Sequence, residues 1–311
     1  MKSMSTYQDF EFFEAGPEWQ EKILKLWRQV FVSWSDETAE IIADRLNSGF
    51  LTGTVRLAAV RKRQTGELVA ALRLEDAVFS GSSGEDQKGI HIGEVAVLPE
   101  FQGCGVGTFL MENAMTLIKN APRNGTFAFL GGYVNFYRRF GFERVEGHTF
   151  FEVRLAPERG GTGRFPVLKR IPRPAADMLR QLNFSQDKEQ ILSLQPRIPG
   201  QRIFNSEIFD REFCLRKSCF ELDCFVSPAT ENLNGYLFRC GSSIYNFSIQ
   251  DETIAFSLLC EALHRIADDH CEKAVIGCNL ELTEKFLRKY ELPFSKISNS
   301  GGWCAQMRAK L

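Results

Sequence analysis

The sequence lacks any long apolar run. No stretch approaches the roughly 18 consecutive apolar residues of a membrane-spanning helix. The first residues, MKSMSTYQDFEFFEAG, contain no continuous apolar segment of the kind found in signal peptides. We therefore expect a cytoplasmic protein without a membrane partner.

The sequence also lacks an excess of charge of either sign. Lysine and arginine number 38, aspartate and glutamate 39, and the formal net charge is −1. Without a net positive field there is no general attraction to nucleic acid, and we expect no nucleic-acid partner. Histidine is scarce: of the four, His264 and His270 lie on one predicted helix but not on one face. No metal site is predicted.

Closely spaced cysteines are absent as well. Eight of the nine cysteines follow residue 200, yet none forms the Cys-x-x-Cys pair that is typical of zinc sites and redox dithiols. We expect reduced thiols that pack as small apolar side chains.

What the sequence does contain is enough chain for two domains. Its 311 residues exceed the common size of one domain. The periodicities of the first half predict the order βααβββαβαβ, a mixed α/β architecture, and we place this domain at residues 1–155. Residues 156–176, rich in Pro, Gly and Arg, predict a solvated linker with a basic arm. Residues 177–311 predict a second, smaller α/β domain whose element order suggests an internal duplication, without residue-level identity.

The most informative stretch is EVAVLPEFQGCGVGTFLMENA. Gly103, Gly105 and Gly107 stand there between a predicted strand and an amphipathic helix, and each costs backbone entropy when it is ordered. Bare backbone amides at the start of a helix form an anion site suited to a phosphate. A P-loop would need Lys-Ser/Thr after the last glycine, and a Rossmann loop would need G-x-G-x-x-G. Neither fits, whereas Q-x-x-G-x-G, starting at Gln102, does.

This pattern and the later NFYRRFGFERV resemble the two signatures of the GNAT superfamily of acetyl-CoA-dependent N-acetyltransferases. The resemblance covers about residues 7–155 and implies a mixed central sheet flanked by helices. It implies acetyl-CoA as co-substrate, no metal, and a strand EVAV that splays from the strand FAFLG to admit the pantetheine arm. Position by position, the implied cofactor-binding residues are Val95, Ala96, Val97, Gln102, Gly103, Cys104, Gly105, Val106, Gly107, Thr108, Asn135 and Tyr137.

The implied reaction is the transfer of an acetyl group to a primary amine of a small molecule or peptide, by direct attack in a ternary complex. Such a site must remove a proton from the ammonium and protonate the leaving thiolate. By the resemblance, Tyr137 is the acid for the thiolate; a core or surface tyrosine is the competing interpretation. Asn135 is expected to contact the pantetheine arm, or alternatively to cap a helix.

The base is predicted from strand alternation. On a regular strand His91 shares a face with Gly93, Val95 and Val97, on the cofactor side, and Glu94 points to the other face. An unperturbed imidazole with a pKa near about 6.5 suits a base that works through water, so His91 is our first candidate. A loop-edge histidine without a role is the alternative, and Glu94 is the second candidate base.

The acceptor is expected to contact the first two helices and their loop, where Trp27, Phe31 and Trp34 predict an apolar wall. Since residues 177–311 contain no Q-x-x-G-x-G, the second domain should not bind CoA in the family's way. Its expected work is to complete the acceptor cleft, to fix the subunit arrangement or to bind a partner. We expect the protein to be a monomer or a homodimer. The alternative function is a non-catalytic sensor that binds acyl-CoA.

Overall fold

The structure, a computed structural model, describes residues 7–81, 83–120, 127–144, 149–156, 166–175, 178–195, 202–219, 222–227, 233–249, 251–277, 280–298 and 305–310. The chain forms two compact units. Unit 1 comprises Met1–Val145, Pro199–Ile203 and Gly302–Leu311. Unit 2 comprises Glu146–Ile198 and Phe204–Gly301.

The described helices and strands alternate along the chain. In chain order they are β1 (Phe10–Ala15), α1 (Gln20–Val30), α2 (Asp36–Thr52), β2 (Val55–Lys62), β3 (Leu68–Ser80), β4 (Asp86–Val97), α3 (Val106–Asn120), β5 (Phe127–Gly132), α4 (Val134–Tyr137), β6 (Glu143–Arg144), β7 (Thr149–Arg154), β8 (Arg180–Gln181), α5 (Phe184–Ser193), β9 (Arg202–Ile203), α6 (Ser206–Cys219), β10 (Leu222–Ser227), β11 (Gly235–Cys240), β12 (Ser243–Ile249), α7 (Glu252–Asp268), β13 (Lys273–Ile276), α8 (Leu280–Lys289), β14 (Phe294–Ser298) and β15 (Ala305–Lys310).

Unit 1 is built on a mixed sheet with the strand order β1-β2-β3-β4-β5-β15-β6, and β9 pairs with β3. Ala58 and Val60 of β2 pack with α3 residues such as Leu110 in one apolar cluster. Leu57 and Ala59 alternate with them and are also fully buried, so the sheet is covered on both faces. Helix α1 also contacts β3 and β4, and α2 contacts β2. The predicted mixed α/β architecture is confirmed.

Unit 2 has its own sheet, in the order β8-β10-β11-β12-β13-β7-β14. Its core surrounds α7, which buries ten side chains, among them Leu258, Leu259 and Leu263. These residues pack against Phe151 and Val153 of β7 and Ile276 of β13. Burial of such a stripe supplies most of the stability of a helix in a globular protein.

The two strand orders correspond position by position. In unit 1 the parallel pair β4 and β5 is joined through α3, and in unit 2 the parallel pair β12 and β13 is joined through α7. In each sheet the next strand comes from the other half of the chain: β15 lies between β5 and β6, and β7 lies between β13 and β14. This correspondence supports the interpretation of an internal duplication.

The compact units differ from the expected domains because their strands are exchanged. Strand β7, expected to end the first domain at residue 155, pairs with β13 and β14 of unit 2. Strand β15 pairs with β5 and β6 of unit 1. The division of the chain into these two units depends on pairing between strands that are distant in sequence. Local periodicity in the sequence does not predict such pairing.

The expected linker is also more ordered than a solvated tail. Of the predicted basic arm, Lys169, Arg170 and Arg173 lie in the described segment, whereas Arg164 lies outside the described residues. Ile171 is buried in the core of unit 2, and its carbonyl oxygen lies 3.0 Å from Nε2 of His264. Arg173 pairs with Asp268 at 2.9 Å. The segment 166–175 is thus a packed part of unit 2.

In the part of the chain that the structure describes, no helix is both long enough and apolar enough to cross a membrane. Of the nine cysteines, the structure describes Cys104, Cys260 and Cys271, which are free thiols. The predictions for the other six cysteines fall outside the residues whose side chains are described.

Candidate active site

The glycine stretch forms the turn between β4 and α3. Gly103 and Gly105 have φ values of 77° and 85°, in the left-handed region that L side chains rarely adopt. A Cβ at Gly103 would meet no atom within 4 Å, so this residue faces open space. Helix α3 begins at Val106, and the first amides of a helix have no acceptor inside it. The turn therefore exposes backbone donors at the positive end of α3.

Two contacts fix this turn to the sheet. The side-chain amide of Gln102 donates to the carbonyl oxygen of Val97 at 2.9 Å, which ties the turn to the end of β4. A Cβ at Gly107 would lie 3.4 Å from Val97 and 3.5 Å from Phe136. Gln102 thus ties the turn to β4, and the absence of a side chain at Gly107 lets α3 lie close to the strand and to α4.

Strands β4 and β5 separate as predicted. Their parallel pairing runs from Gly89, opposite Phe127, to His91, opposite Phe129. Beyond His91, β4 continues to Val97 and β5 continues to Gly132. Among these described residues, the two strands no longer pair with each other. The edge of β4 next to the glycine turn is therefore open to an extended ligand.

A β-bulge interrupts β4 at Glu94. The register with β3 shifts between Ala71, opposite Ala96, and Arg73, opposite Gly93, so β4 carries one extra residue. Glu94 has a φ of 46°. A bulge resets the alternation of side chains, and the prediction that assumed a regular strand fails from this point on.

The reset alternation places His91 and Glu94 on one face. Ile90 and Ile92 before the bulge, and Val95 and Val97 after it, all pack in or against the α3 cluster. His91 and Glu94 both contact Arg73 instead. The prediction that His91 shares the face of Val95 and Val97, opposite to Glu94, is therefore wrong.

Arg73 is the centre of a buried charged cluster. Its Nε donates to Glu94 at 2.5 Å, its Nη2 to the other oxygen of Glu94 at 3.2 Å, and its Nη1 to Glu75. Arg202 lies 2.8 Å from the second oxygen of Glu75. A Cβ at Gly93 would be 2.5 Å from Nη2 of Arg73, so the glycine makes room for the guanidinium. The side chain of Arg73 is almost fully buried, and that of Glu94 is 13% exposed.

Charge pairing outweighs burial for two members of the cluster. Burial alone lowers the pKa of Arg73, but the carboxylates of Glu94 and Glu75 raise it above its usual value. Burial alone raises the pKa of Glu75, but Arg73 and then Arg202 hold it well below its usual range. Burial, followed by the charge of Arg73, lowers the pKa of Arg45 on α2 to about 9. Glu75 is therefore ionised at neutral pH.

His91 is neutral in this environment. Burial, followed by the guanidinium groups of Arg202 and Arg73, lowers the pKa of His91 well below its usual value. Nδ1 of His91 faces Nη2 of Arg73 at 3.5 Å. A guanidinium can only donate, so Nδ1 is the acceptor and the ring proton lies on Nε2. The prediction of an imidazole with an unperturbed pKa is therefore wrong. The ring presents an N–H donor at Nε2 instead.

Comparison with known proteins adds a sequence match to this geometry. Residues 57–144 match the family model of the acetyltransferase (GNAT) domain. Residues 57–144 therefore carry a GNAT acetyltransferase domain. The search of curated proteins finds no match.

Solved structures extend the likeness over nearly the whole chain. A probable N-acyltransferase from Enterococcus faecalis superposes with a TM-score of 0.69 at 13% identity, over 96% of this chain and 72% of that one. A GCN5-related N-acetyltransferase from Kribbella flavida gives 0.65 at 14% identity, over 99% and 73%. N-myristoyltransferase from Saccharomyces cerevisiae, with bound myristoyl-CoA, gives 0.55 at 12%, over 98% and 83%. At these identities the likeness concerns the fold.

Tyr137 and Asn135 lie on α4 of the GNAT domain. The ring of Tyr137 is buried, and a Cβ at Gly132 would lie 2.3 Å from it, so this glycine at the end of β5 admits the ring. Asn135 is exposed and lies inside α4, whose N-cap is Tyr133, so the capping alternative is wrong. The catalytic role of Tyr137 and the cofactor contact of Asn135 stay predictions.

The three predicted acceptor residues, Trp27, Phe31 and Trp34, lie in two different environments. Trp27 is 0% exposed and packs within the core, so it has no surface that an acceptor could contact. The prediction that Trp27 belongs to the apolar wall of the acceptor site is therefore wrong. Phe31 and Trp34, at the end of α1 and beyond, are partly exposed and stack with their centroids 5.1 Å apart. Their contact with an acceptor stays a prediction.

Sequence reasoning missed several residues of this site. Arg73 and Glu75 stand two apart in the apolar strand VAALRLEDA, a pattern that signals charge on a buried face. Tyr7 stacks on Phe109 at 5.0 Å and lies 3.6 Å from the Cβ position of Gly105, which places it beside the glycine turn. Near the start of α3, Nη1 of Arg139 lies 3.4 Å from the hydroxyl oxygen of Thr108. No group of three metal-ligating side chains is found among the described residues.

Proposed function

We propose that the chain transfers an acetyl group from acetyl-CoA to a primary amine of a small molecule or peptide. The observation that carries this proposal is the glycine turn at the start of α3, beside the open edge of β4. Phosphate prefers backbone donors at a helix N-terminus. Within the GNAT domain, the turn Gln102–Thr108 supplies such donors with left-handed glycines that leave space for a ligand.

The glycine turn, the unpaired edge of β4 and helix α4 support this proposal for the pyrophosphate and the pantetheine arm of a CoA thioester. The amides of the glycine turn hold the pyrophosphate, with Tyr7 and Arg139 near the turn. The backbone of Val95 and Val97 pairs with the pantetheine arm along the unpaired edge of β4, and the exposed Asn135 contacts the same arm. Bound acetyl-CoA supplies the activated carbonyl. The acceptor amine then attacks it directly in a ternary complex.

Proton transfers are divided between α4 and β4. We assign Tyr137 as the acid that protonates the leaving thiolate. His91, neutral and protonated on Nε2, donates a hydrogen bond rather than removing a proton. Glu94 is the candidate base: the exposed part of its carboxylate accepts the ammonium proton through water. Arg73 donates two hydrogen bonds to this carboxylate, so only its exposed part is open to the water that relays the proton.

A non-catalytic acyl-CoA sensor is the second candidate. The specific observation that favours it is the state of the two predicted bases, because His91 has a lowered pKa and Glu94 is bound by Arg73. A sensor would retain the glycine turn and the open strand edge without needing proton transfer.

Release of free CoA from acyl-CoA, with a panel of amines, tests the proposal. We expect turnover with at least one amine, and Tyr137→Phe to lower kcat about 10²-fold with unchanged CoA affinity. The exposed Tyr133, one helical turn earlier, gives the matched control Tyr133→Phe, which should keep full activity. Comparison of acetyl-CoA with a long-chain acyl-CoA tests the acyl preference. Tight acetyl-CoA binding without turnover on any amine would establish the sensor instead.

A further inference from the structure

Unit 2 contains a cleft of 310 Å³. One wall is the face of α7 between Glu252 and Cys260, a second is the end of α8 with Lys289 and Tyr290, and the third contains Pro172, Pro174 and Met178. All of these residues belong to unit 2. The volume lies at the lower end of the range for small-molecule sites.

The floor of the cleft is apolar and aromatic. The rings of Phe256 and Tyr290 meet edge to face, with centroids 6.4 Å apart. The hydroxyl of Tyr290 is hydrogen-bonded to Cys260, and burial raises the pKa of the Cys260 thiol to about 12, so the thiol is neutral at pH 7. With these polar groups satisfied by each other, the floor favours a flat apolar ligand.

The charge at the rim comes from Lys289. Its Nζ lies 4.8 Å from the ring centroid of Phe256 and 5.6 Å from that of Tyr290, and the side chain is exposed. Other charges around the cleft are neutralised: Glu252 pairs with Lys285, and Arg173 pairs with Asp268. In the described part of the chain, no carboxylate lies within ion-pair distance of Lys289. The cleft thus combines an aromatic floor with one uncompensated positive charge.

We propose that this cleft binds a small aromatic carboxylate. The ring of the ligand lies on Phe256 and Tyr290, between them and the two prolines, and its carboxylate pairs with Lys289. A neutral aromatic ligand would leave the ammonium uncompensated, and an inorganic anion would leave the floor uncovered. The site gives unit 2 a ligand of its own, independent of CoA binding to the GNAT domain.

Calorimetric titration of the full chain with 2-naphthoate tests the proposal, and 2-naphthalenemethanol serves as the neutral probe with the same ring. We expect 2-naphthoate to bind more tightly than the alcohol, with or without saturating CoA. Lys289→Gln should weaken 2-naphthoate binding about five-fold, as expected for loss of a partly exposed ion pair. It should leave the affinity for the alcohol unchanged.

Arg288→Gln is the matched control. It removes the same charge from the neighbouring position of α8, where Arg288 pairs with Glu284 and does not line the cleft. We expect its 2-naphthoate affinity to equal that of the unmodified chain. As a second readout, raising the salt concentration from about 50 mM to about 500 mM should weaken 2-naphthoate binding and spare the alcohol.

Four results would each overturn the proposal: no 2-naphthoate binding at millimolar concentration, equal affinity for the two probes, equal loss in Lys289→Gln and Arg288→Gln, or displacement by CoA. Both lysine and arginine are exposed, so both variants should retain the fold, which thermal unfolding checks. None of these results depends on whether the GNAT domain is catalytic.

Discussion

Helices α3 and α7 occupy corresponding places in the two units, yet they begin in opposite ways. Before α3, Gly103 and Gly105 leave backbone amides free at the positive end of the helix. Before α7, one carboxylate oxygen of Asp251 accepts hydrogen bonds from the amides of Thr253 and Ile254, at 2.6 Å and 3.2 Å. The next residue, Glu252, pairs with Lys285.

This difference shows how one topology supports two kinds of site. In unit 1 the proposed occupant of the helix end is an external anion. In unit 2 the chain supplies the anion itself, and an additional phosphate would meet the carboxylate of Asp251. The two units also differ in the exposure of their charged side chains. In unit 1 the Arg73 cluster is buried, whereas in unit 2 the ion pair of Lys273 and Glu152 is partly exposed.

The largest expected effect comes from the buried cluster. Arg73→Met leaves Glu75 and Glu94 without their central partner, and removal of one partner of a buried pair costs about 3–5 kcal/mol. We expect the free energy of unfolding in urea to fall by that amount. The unit 2 counterpart Lys273→Met should cost less than about 1 kcal/mol, because its pair is partly exposed.

Acid titration sharpens this prediction. The pKa of Glu75 is lowered in the folded state, so its stabilisation is present above its unfolded pKa, near about 4.3, and is lost as the pH falls below that value. The free energy of unfolding of Arg73→Met should depend less on pH between about 5 and about 3 than that of the unmodified chain. Equal pH dependence would show that Arg73 does not control this carboxylate.

The next effect concerns the glycine turn. Gly105→Glu places a side chain at a φ of 85° and a negative charge in the proposed pyrophosphate site. We expect acetyl-CoA affinity to fall at least about 10²-fold in isothermal titration, which corresponds to about 2.7 kcal/mol. Gly241→Glu, at a φ of 52° in unit 2, is the control for backbone strain and should retain binding. Loss of binding in both variants would attribute the effect to folding.

The glycine turn could be predicted from the sequence because its signal is local. The spacing of Gln102, Gly105 and Gly107, followed by an amphipathic helix, predicts the turn, and the phosphate binding inferred from it stays a prediction. Most of the first-half elements follow from periodicity for the same reason. Trp27 shows the limit even here, since periodicity places it on the apolar face of α1 but does not distinguish core from cleft.

The bulge and the strand exchange could not be predicted because they depend on partners distant in sequence. Glu94 changes face only because β4 carries one residue more than the segment of β3 that it pairs with. The apolar residues of β7 would suit either sheet, so its composition does not assign it to one of them. Its pairing with β13 and β14 places it in the sheet of unit 2. The lowered pKa of His91 follows first from its burial and then from the charge of Arg202, which lies more than one hundred positions further along the chain.

A smaller effect is expected from the protonation of His91. Its folded pKa is lowered, so the stabilisation linked to the neutral ring is present above its unfolded pKa, near about 6.5, and is lost as the pH falls below it. This loss amounts to at most about 1.4 kcal/mol per pH unit. His91→Gln, which keeps an N–H donor near the position of Nε2, should remove the dependence between pH 7 and pH 5, as measured by urea unfolding.

Activity separates the donor role of His91 from a basic role. If His91 donates, His91→Gln keeps most of the turnover, and the acid limb of the pH–rate profile stays where it is. A base at this position would instead make His91→Gln inactive and remove that limb. Nitrogen NMR of the imidazole checks the assignment directly, because it distinguishes a protonated Nε2 from a protonated Nδ1.

The smallest effect tests the anion that unit 2 supplies to its own helix. Asp251→Ala removes the cap of α7 and should lower the free energy of unfolding by about 1 kcal/mol. Acetyl-CoA affinity should not change, because in the proposed function CoA binds to the amides of the glycine turn in unit 1. Asp251→Asn, which keeps the acceptor oxygen, should restore most of the stability. If calorimetry instead showed a second CoA site per chain in Asp251→Ala, the helix cap alone would account for the difference in CoA binding between the two units. The left-handed glycines would then not be required for binding.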